Sequence, residues 1–521
     1  MATLSGWSQT AGRVWTYLEW GFPLILGLLM VSLWLNRFGL LPDSTFYLSA
    51  ATNLLERGKF VVYTNFPSFD FNPVMEIYSE YPPGFPLYLA PFVFLLGDPL
   101  LAAATAQAVA ILGIFVIAVP LLRTLEFDPV LRLCGYFFLG FFISFREIFG
   151  TLYSEPLFLL VTLGTLLYAV RALLDGGSGK WNWILGGALL AVGTSVKFIG
   201  VFNLVFWIVP LSVVRTRRWT KTVTMPLAAG LPAGIWLVRN YLLFQKATRS
   251  HLEDWSQDPR NLLDPFRRAY ALIACDRVLL AVLLGLIVLL PIGLFLFRKS
   301  RGLHVAPHFT LLLGSVTHLL GIAILSTVFR MDFLDHRLLS PSYLLIGISL
   351  LSGVSLLVRF RPPHTRTFWA LPLLYLAFNP AFRTPVPQFN LDHFERPPEQ
   401  ALWEDLGDRQ GLEESSHFYT SINFLHQIFC DRPHKIVWNE NYVDTAEKTG
   451  WLLHYGSHPF FVLNEGDPMI PFLEEQKGSL GLTREESGPF TLFRPDTPPE
   501  KSSPEQLPKE TVVTPNFPLY Y

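Results

Sequence analysis

The sequence predicts a polytopic α-helical membrane protein of about eleven transmembrane helices, followed by a small C-terminal extracytoplasmic α/β domain. Three observations predict it. Of 521 residues, 51% are hydrophobic and only 16% charged, with a mean hydropathy of +0.37, the balance of a chain partly solvated by lipid. Apolar runs close to the ~20 residues that cross a bilayer recur as far as about residue 380. Positive charge gathers in alternate loops between those runs.

The runs fall at about 21 to 40, 99 to 122, 130 to 149, 155 to 171, 182 to 197, 199 to 213, 222 to 243, 278 to 297, 307 to 329, 338 to 358 and 366 to 380. The residues before the first run are mixed polar and aromatic, with no small-residue cleavage pattern, so that run reads as an uncleaved span. The fifth and sixth are short. Lys180 and Arg215 bracket the pair, so a helical hairpin and two half-helices both return the chain to the same side.

The loops holding Arg123 and Arg132, Arg171 and Lys180, Arg215 to Lys221, Arg298 to Arg301, and Arg359 to Arg366 carry the positive bias and read as cytoplasmic. The alternate set contains Asp43, Asp70, Glu76 and Glu80, then residues 146 to 155, 246 to 277 and 330 to 337, and faces outward. The tail leaves the last run on that outer side. With no N-x-S/T sequon in the chain, the pattern suits an integral, multi-pass protein of a bacterial inner or plasma membrane.

The domains expected are a transmembrane domain over 1 to 380 with its first outer loop at 41 to 98, a soluble extracytoplasmic α/β domain over 381 to 493, and a disordered tail over 494 to 521. Within the outer loop, residues 43 to 57 open with Asp43 at an N-cap position and continue as an amphipathic helix suited to the membrane surface. The stretch YPPGFPLYLAPFVFLLG at 81 to 97 is apolar enough to pass for a span, but its prolines favour a surface or re-entrant segment. Counting it as a crossing would place every arginine-rich loop outside. In the tail, strands are expected near 417 to 420, 434 to 438, 459 to 463 and 489 to 493. The Pro, Glu, Ser and Lys composition after 494 cannot bury enough apolar surface to fold.

A formal net charge of -1 and a pI near 6.9 leave no field to attract nucleic acid. Cys134, Cys275 and Cys430 match no metal spacing and no disulfide framework, although Cys275 and Cys430 share a side in this topology and are able to pair. P-loop, dinucleotide, H-E-x-x-H and G-x-S-x-G motifs are lacking.

Ionisable groups near a membrane are expensive to bury and are functional candidates by default. Asp43 stands where the first span emerges. Glu80 and Tyr81 adjoin the PPG turn, and Glu155 precedes Pro156 at the start of a span. Lys197 in SVKFIG, Arg239 in LVRNY and Arg337 in DHRLLSP reach the same membrane level from distant parts of the chain, as a phosphate site at the headgroup boundary would require. Each has a bland alternative: Asp43 as a helix cap, Glu80 as a solvated loop acid, Glu155 as a partner of the helix dipole, and the three cations as snorkelling side chains. Asp335 and His336 join the site or merely flank Arg337. His308 and His318 lie on an apolar run and read as hydrogen-bonded core residues.

The arrangement resembles the GT-C glycosyltransferases that use polyprenyl-phosphate sugars, a family that includes protein O-mannosyltransferases and aminoarabinose transferases. The resemblance covers about residues 20 to 380. It rests on Asp43, Tyr47, Ala50 and LLERG at 54 to 58, YPPGFPLYLAPF at 81 to 92, YSEPLF at 153 to 158, SVKFIG at 195 to 200, VRNY at 238 to 241 and HRLLSP at 336 to 341. It implies a transferase with Asp43 as general base, with Lys197, Arg239 and Arg337 on the donor phosphate, and with Tyr47, Glu80, Tyr81, Glu155 and His336 available to bind substrate. The partners implied are a polyprenyl-phosphate-linked sugar, membrane lipids, and a lipid, glycan or protein acceptor. A single Asp stands where relatives commonly carry an Asp-Glu pair, which leaves a divalent metal as an option. The competing classes are a transporter or lipid flippase, for which broken helices with polar groups at mid-bilayer are expected, and a noncatalytic scaffold.

Overall fold

Proline and glycine punctuate the helices that follow the first outer loop. Gly97 ends one helix in the left-handed conformation (φ 71), its N–H bonding to Val93 O, and Asp98 caps the next by accepting from Leu100 N at 2.8 Å and Leu101 N at 2.9 Å, with Pro99 in the first turn. The computed structural model describes residues 19–35, 42–63, 75–78, 81–141, 145, 148–176, 178–213, 218–244, 306–328, 336–359, 416–420, 457–464, 469–480, 482–487 and 490–495. By contacts the chain divides into Met1–Arg57 with Tyr78–Phe394, and Gly58–Ile77 with Glu395–Tyr521.

The first unit is helical among its described residues. Its elements are α1 (Glu19–Leu35), α2 (Pro42–Arg57), α3 (Gly84–Leu96), α4 (Pro99–Thr124), α5 (Pro129–Phe141), α6 (Glu155–Leu174), α7 (Lys180–Val196), a 3-10 segment (Phe198–Trp207), α8 (Ile208–Val213), α9 (Arg218–Phe244), α10 (Ala306–Val328) and α11 (His336–Arg359). Three stretches, Pro99–Thr124, Glu155–Leu174 and Leu339–Leu356, are long and apolar enough to cross a membrane, and shorter apolar helices include Glu19–Leu35, Pro129–Gly140 and Ala306–Ile322. The runs expected at 278 to 297 and 366 to 380 lie outside the described residues.

Large apolar side chains face away from the packed interior along helical stripes. On α9 these are Leu227, Leu231, Ile235, Val238 and Leu242, each more than half exposed, and on α1 they are Leu24, Ile25, Leu28 and Leu29. In water such stripes would be sticky; lipid solvates them. Several buried polar groups pair with one another instead. His318 Nε2 meets Asn203 Oδ1 at 2.8 Å, Asn203 Nδ2 donates to Thr162 Oγ1 at 3.2 Å, and His308 Nδ1 bonds Ser352 Oγ, the core role expected for both histidines. Cys134 is buried and unbridged; Cys275 and Cys430 fall outside the described residues.

Two elements differ from expectation. The helix α2 is not a surface helix with one buried stripe: Ser44, Phe46, Tyr47, Leu48, Ser49, Ala50, Ala51, Thr52 and Asn53 are all buried, and exposure begins only near Leu55. It packs on α3, so its small residues serve close approach rather than a polar face. Asp43 also sits inside the first turn, because Pro42 takes the leading position that suits proline. The second difference is the stretch after Lys197, which winds as a ten-residue 3-10 segment. Gly200 permits this, since a Cβ there would lie 2.4 Å from Gly193 C and O. The apolar stretch after YPPG forms α3, 13 residues or about 20 Å, well short of a bilayer crossing.

The second unit contains a two-stranded antiparallel hairpin, β1 (Val61–Tyr63) with β2 (Met75–Ile77), and a four-stranded sheet in the order β3-β4-β6-β5. In that sheet β3 (Ser416–Thr420) runs parallel to β4 (Ser457–Asn464), while β5 (Leu482–Ser487) and β6 (Phe490–Pro495) complete it antiparallel. Helix α12 (Met469–Leu480) packs against β5 and β6. Three expected strands fall in β3, β4 and β6; the fourth, 434 to 438, lies outside the described residues. The strand β5 was not expected. Its LTREES sequence is that of a charged edge, and among the side chains described only Leu482 is buried. Glu474 of α12 accepts hydrogen bonds from Lys477 and, at 3.4 Å, from Arg484 of β5, and the Lys477 bond is the chief reason its carboxyl lies below the usual range.

Candidate active site

The segment from Tyr78 to Gly84 joins the helices that carry most of the candidate residues. At its far end Gly84 presses on the backbone of α7: a Cβ there would lie 2.5 Å from Ser195 C and O and 2.7 Å from Val196 N. Only glycine allows that approach, and it sets the start of α3 against the residues just before Lys197. In the middle, Tyr81 Oη donates to Asp43 Oδ1 at 2.8 Å. At the near end, Tyr78 O accepts from Arg239 Nη1 at 3.0 Å. One short stretch therefore touches the base candidate and one phosphate candidate and abuts the neighbour of another.

Aromatic packing holds the Asp43 end. The Tyr81 ring lies 5.2 Å from Tyr47 and 6.5 Å from Phe46, and Tyr47 packs edge-on to Phe85 at 5.0 Å. Tyr47 is itself buried, so it shapes this wall. Ser44 Oγ donates to Leu152 O at 2.7 Å, which ties the first turn of α2 to the strand-like approach to Glu155.

Glu155 begins α6 and is 2% exposed. Lys197 Nζ donates to Glu155 Oε1 at 2.7 Å, and Ser154 Oγ donates to Glu155 Oε2 at 3.4 Å. The helix-dipole reading of Glu155 is thus incomplete, since its carboxylate holds a lysine from 42 residues away. Lys197 ends α7 in an extended conformation (φ -146, ψ 138), the break that turns its side chain aside from the helix.

Arg239 stacks over the Trp236 ring at 4.2 Å and also donates to Asn240 Oδ1 at 2.8 Å. Trp236 packs in turn on Tyr78 at 6.1 Å. The i, i+3 spacing of Trp236 and Arg239 was legible in the sequence, but the sequence reading passed over Trp236. An open groove of about 590 Å³ runs along the exposed face of α9 from Pro226 to Leu242, with Arg239 among its lining residues. Arg337 and His336 lie in the first turn of α11, with side chains outside the described residues, as is Glu80.

No group of three or more His, Cys, Asp or Glu side chains suited to a metal occurs among the described residues. Of the candidate carboxylates, Asp43 accepts from Tyr81 and Glu155 from Lys197. The region thus presents an acid hydrogen-bonded within an aromatic wall, a lysine paired with a buried glutamate, and an arginine stacked on a tryptophan.

This architecture is a GT-C-like fold. The chain superposes on the ArnT of Cupriavidus metallidurans in its apo state with a TM-score of 0.52 over 93% of this chain and 98% of that one, at 14% identity. The same protein bound to undecaprenyl phosphate gives 0.51, covering 92% and 98%, again at 14% identity. An oligosaccharyltransferase of Archaeoglobus fulgidus in its apo form gives 0.51 at 10% identity, covering 86% of this chain and 70% of that one. At such identities the likeness establishes the fold. No family model and no curated protein matches the sequence.

Proposed function

We propose that this chain is a membrane glycosyltransferase that moves a sugar from a polyprenyl-phosphate donor to an acceptor on the extracytoplasmic face. The observation that carries the reading is the Tyr81 to Asp43 hydrogen bond at 2.8 Å, on a segment whose other end meets Arg239. The fold supports it, being shared with a protein solved with bound undecaprenyl phosphate.

Asp43 takes the proton of the acceptor hydroxyl or amine as that group attacks the anomeric carbon, in a single inverting displacement. Tyr81 fixes the carboxylate's orientation. The bond from the anomeric carbon to the phosphate oxygen breaks, and its electrons remain on the phosphate. Lys197, Arg239 and Arg337 meet the charge that develops there, in a site dry enough for such help to count. About eleven spans, with the tail domain of 381 to 493 outside, complete the proposal.

Transfer from a synthetic undecaprenyl-phosphate sugar by the detergent-solubilised chain tests the reaction. Mass spectrometry of lipid-linked sugars and surface glycans, with and without the gene, names donor and acceptor. Accumulation of one lipid-linked sugar together with loss of one glycan is expected; unchanged pools of both would refute it. The transporter or flippase reading draws on one observation, the break at Lys197 that leads into the 3-10 segment. A flippase would move lipid across vesicles and show no transfer.

A further inference from the structure

We infer that Glu155 is a positioning residue that competes with phosphate for Lys197 and thereby favours release of the spent lipid carrier; this inference rests on the function proposed above. The two charges differ in access. Side-chain exposure is 16% for Lys197 and 3% for Glu155, so the lysine is the more accessible partner and the carboxylate the more deeply buried one. An ammonium has three donors, and the bond to Glu155 Oε1 at 2.7 Å occupies one. A phosphate arriving at Lys197 therefore meets a cation already partly neutralised by a buried anion.

The charge on that phosphate changes during the reaction. The donor is a phosphodiester with one negative charge. When the anomeric C–O bond breaks, the sugar goes to the acceptor, the acceptor's proton goes to Asp43, and the carrier is left as a phosphomonoester whose second ionisation, with a pKa near ~6, is largely complete above neutrality. Coulomb repulsion from Glu155 scales with ligand charge, so it falls about twice as heavily on the product as on the donor. A bare lysine would do the opposite and hold the dianion more tightly. Glu155 tilts the site toward the substrate and away from product inhibition.

The test uses the full chain in detergent at pH 8 and two probes with one tail, undecaprenyl phosphate and its methyl ester, which differ by a single charge. In Glu155→Gln, the monoester is expected to bind about tenfold more tightly than in the wild type and the methyl ester about threefold, half the effect in free energy, so their ratio shifts by about threefold. In turnover, the same variant is expected to show stronger inhibition by undecaprenyl phosphate with a smaller fall in donor KM. Lys197→Gln is expected to weaken both probes. An unchanged monoester-to-diester ratio in a monodisperse Glu155→Gln variant overturns the inference. If that variant does not fold, Glu155→Asp, which draws the carboxylate back by one methylene, is read instead: a smaller shift in the same direction supports the inference and no shift overturns it. If neither probe binds the wild type, the failure lies with the proposed function itself.

Discussion

At the scale of single residues, the proposed mechanism turns on Asp43, and its contact with Tyr81 supplies a second test. Asn fits the first turn of α2 about as well as Asp, so Asp43→Asn is expected to leave expression and donor binding intact while transfer falls by roughly 10²- to 10⁴-fold. Asp43→Ala is expected to match Asn in activity and, with a carboxylate lost from the positive end of α2, to cost about 0.3–1 kcal/mol of local stability. Tyr81→Phe removes a hydrogen bond to a charged acceptor, commonly worth ~1.5–3 kcal/mol, so transfer is expected to fall by about tenfold or more. In the Asp43→Asn background the same change is expected to be nearly silent, because the group it orients has lost its function. A normal rate in Asp43→Asn would refute the base assignment. Asp43, Lys197 and Arg239 were legible in the sequence because an ionisable group beside a bilayer stands out against apolar neighbours. Their partners were not: the pairing of Glu155 with Lys197 spans 42 residues and the reversal between α6 and α7, which no periodicity encodes.

At the scale of elements, two glycines decide how the site is assembled. A Cβ on Gly84 would meet Ser195 backbone at 2.5 Å, and backbone cannot swing aside as a side-chain tip can. Gly84→Ala is expected to destabilise the fold by ~1–3 kcal/mol and to lower transfer further than that loss explains, because it pushes Tyr81 and Lys197 apart. Gly230→Ala is the control, since nothing lies within 4 Å of its added carbon. Equal melting temperatures and equal rates for the two variants, measured in one detergent, would show that the contact does not matter. Helix boundaries were largely legible, as at Asp98–Pro99 and Glu155–Pro156, where capping chemistry writes the start into the sequence. The burial of α2 and the winding of Phe198–Trp207 were not, because each is imposed by a neighbour. Ser, Thr and Asn on α2 read as a polar face until α3 covers them, and the 3-10 segment depends on the backbone of Gly193 lying under Gly200.

At the scale of the whole molecule, the charges sort to the ends of the helices in a way that argues for one topology. Glu19, at the start of α1, pairs with Arg123 at 2.5 Å and with Arg132, so the start of α1, the end of α4 and the start of α5 share one end. Lys221 stacks on Trp183 at 4.2 Å, which brings the starts of α7 and α9 together. These are the arginine- and lysine-rich ends, and Lys197 and Arg239 lie at or near the opposite ends of α7 and α9. If the positive-inside bias orients the chain, the candidate site and everything after residue 381 face outward. Single cysteines test this in a background with Cys134→Ala, Cys275→Ser and Cys430→Ser. Lys59→Cys and Glu475→Cys, both at exposed positions, are expected to react with an impermeant maleimide in intact cells, whereas Ser178→Cys, exposed in the loop after α6, is expected to react only once the membrane is opened. The result that would overturn the orientation is protection of Glu475→Cys in intact cells with labelling of Ser178→Cys. A carrier-linked sugar would then have to be used on the cytoplasmic face, and Asp43 would stand on the wrong side for the proposed reaction.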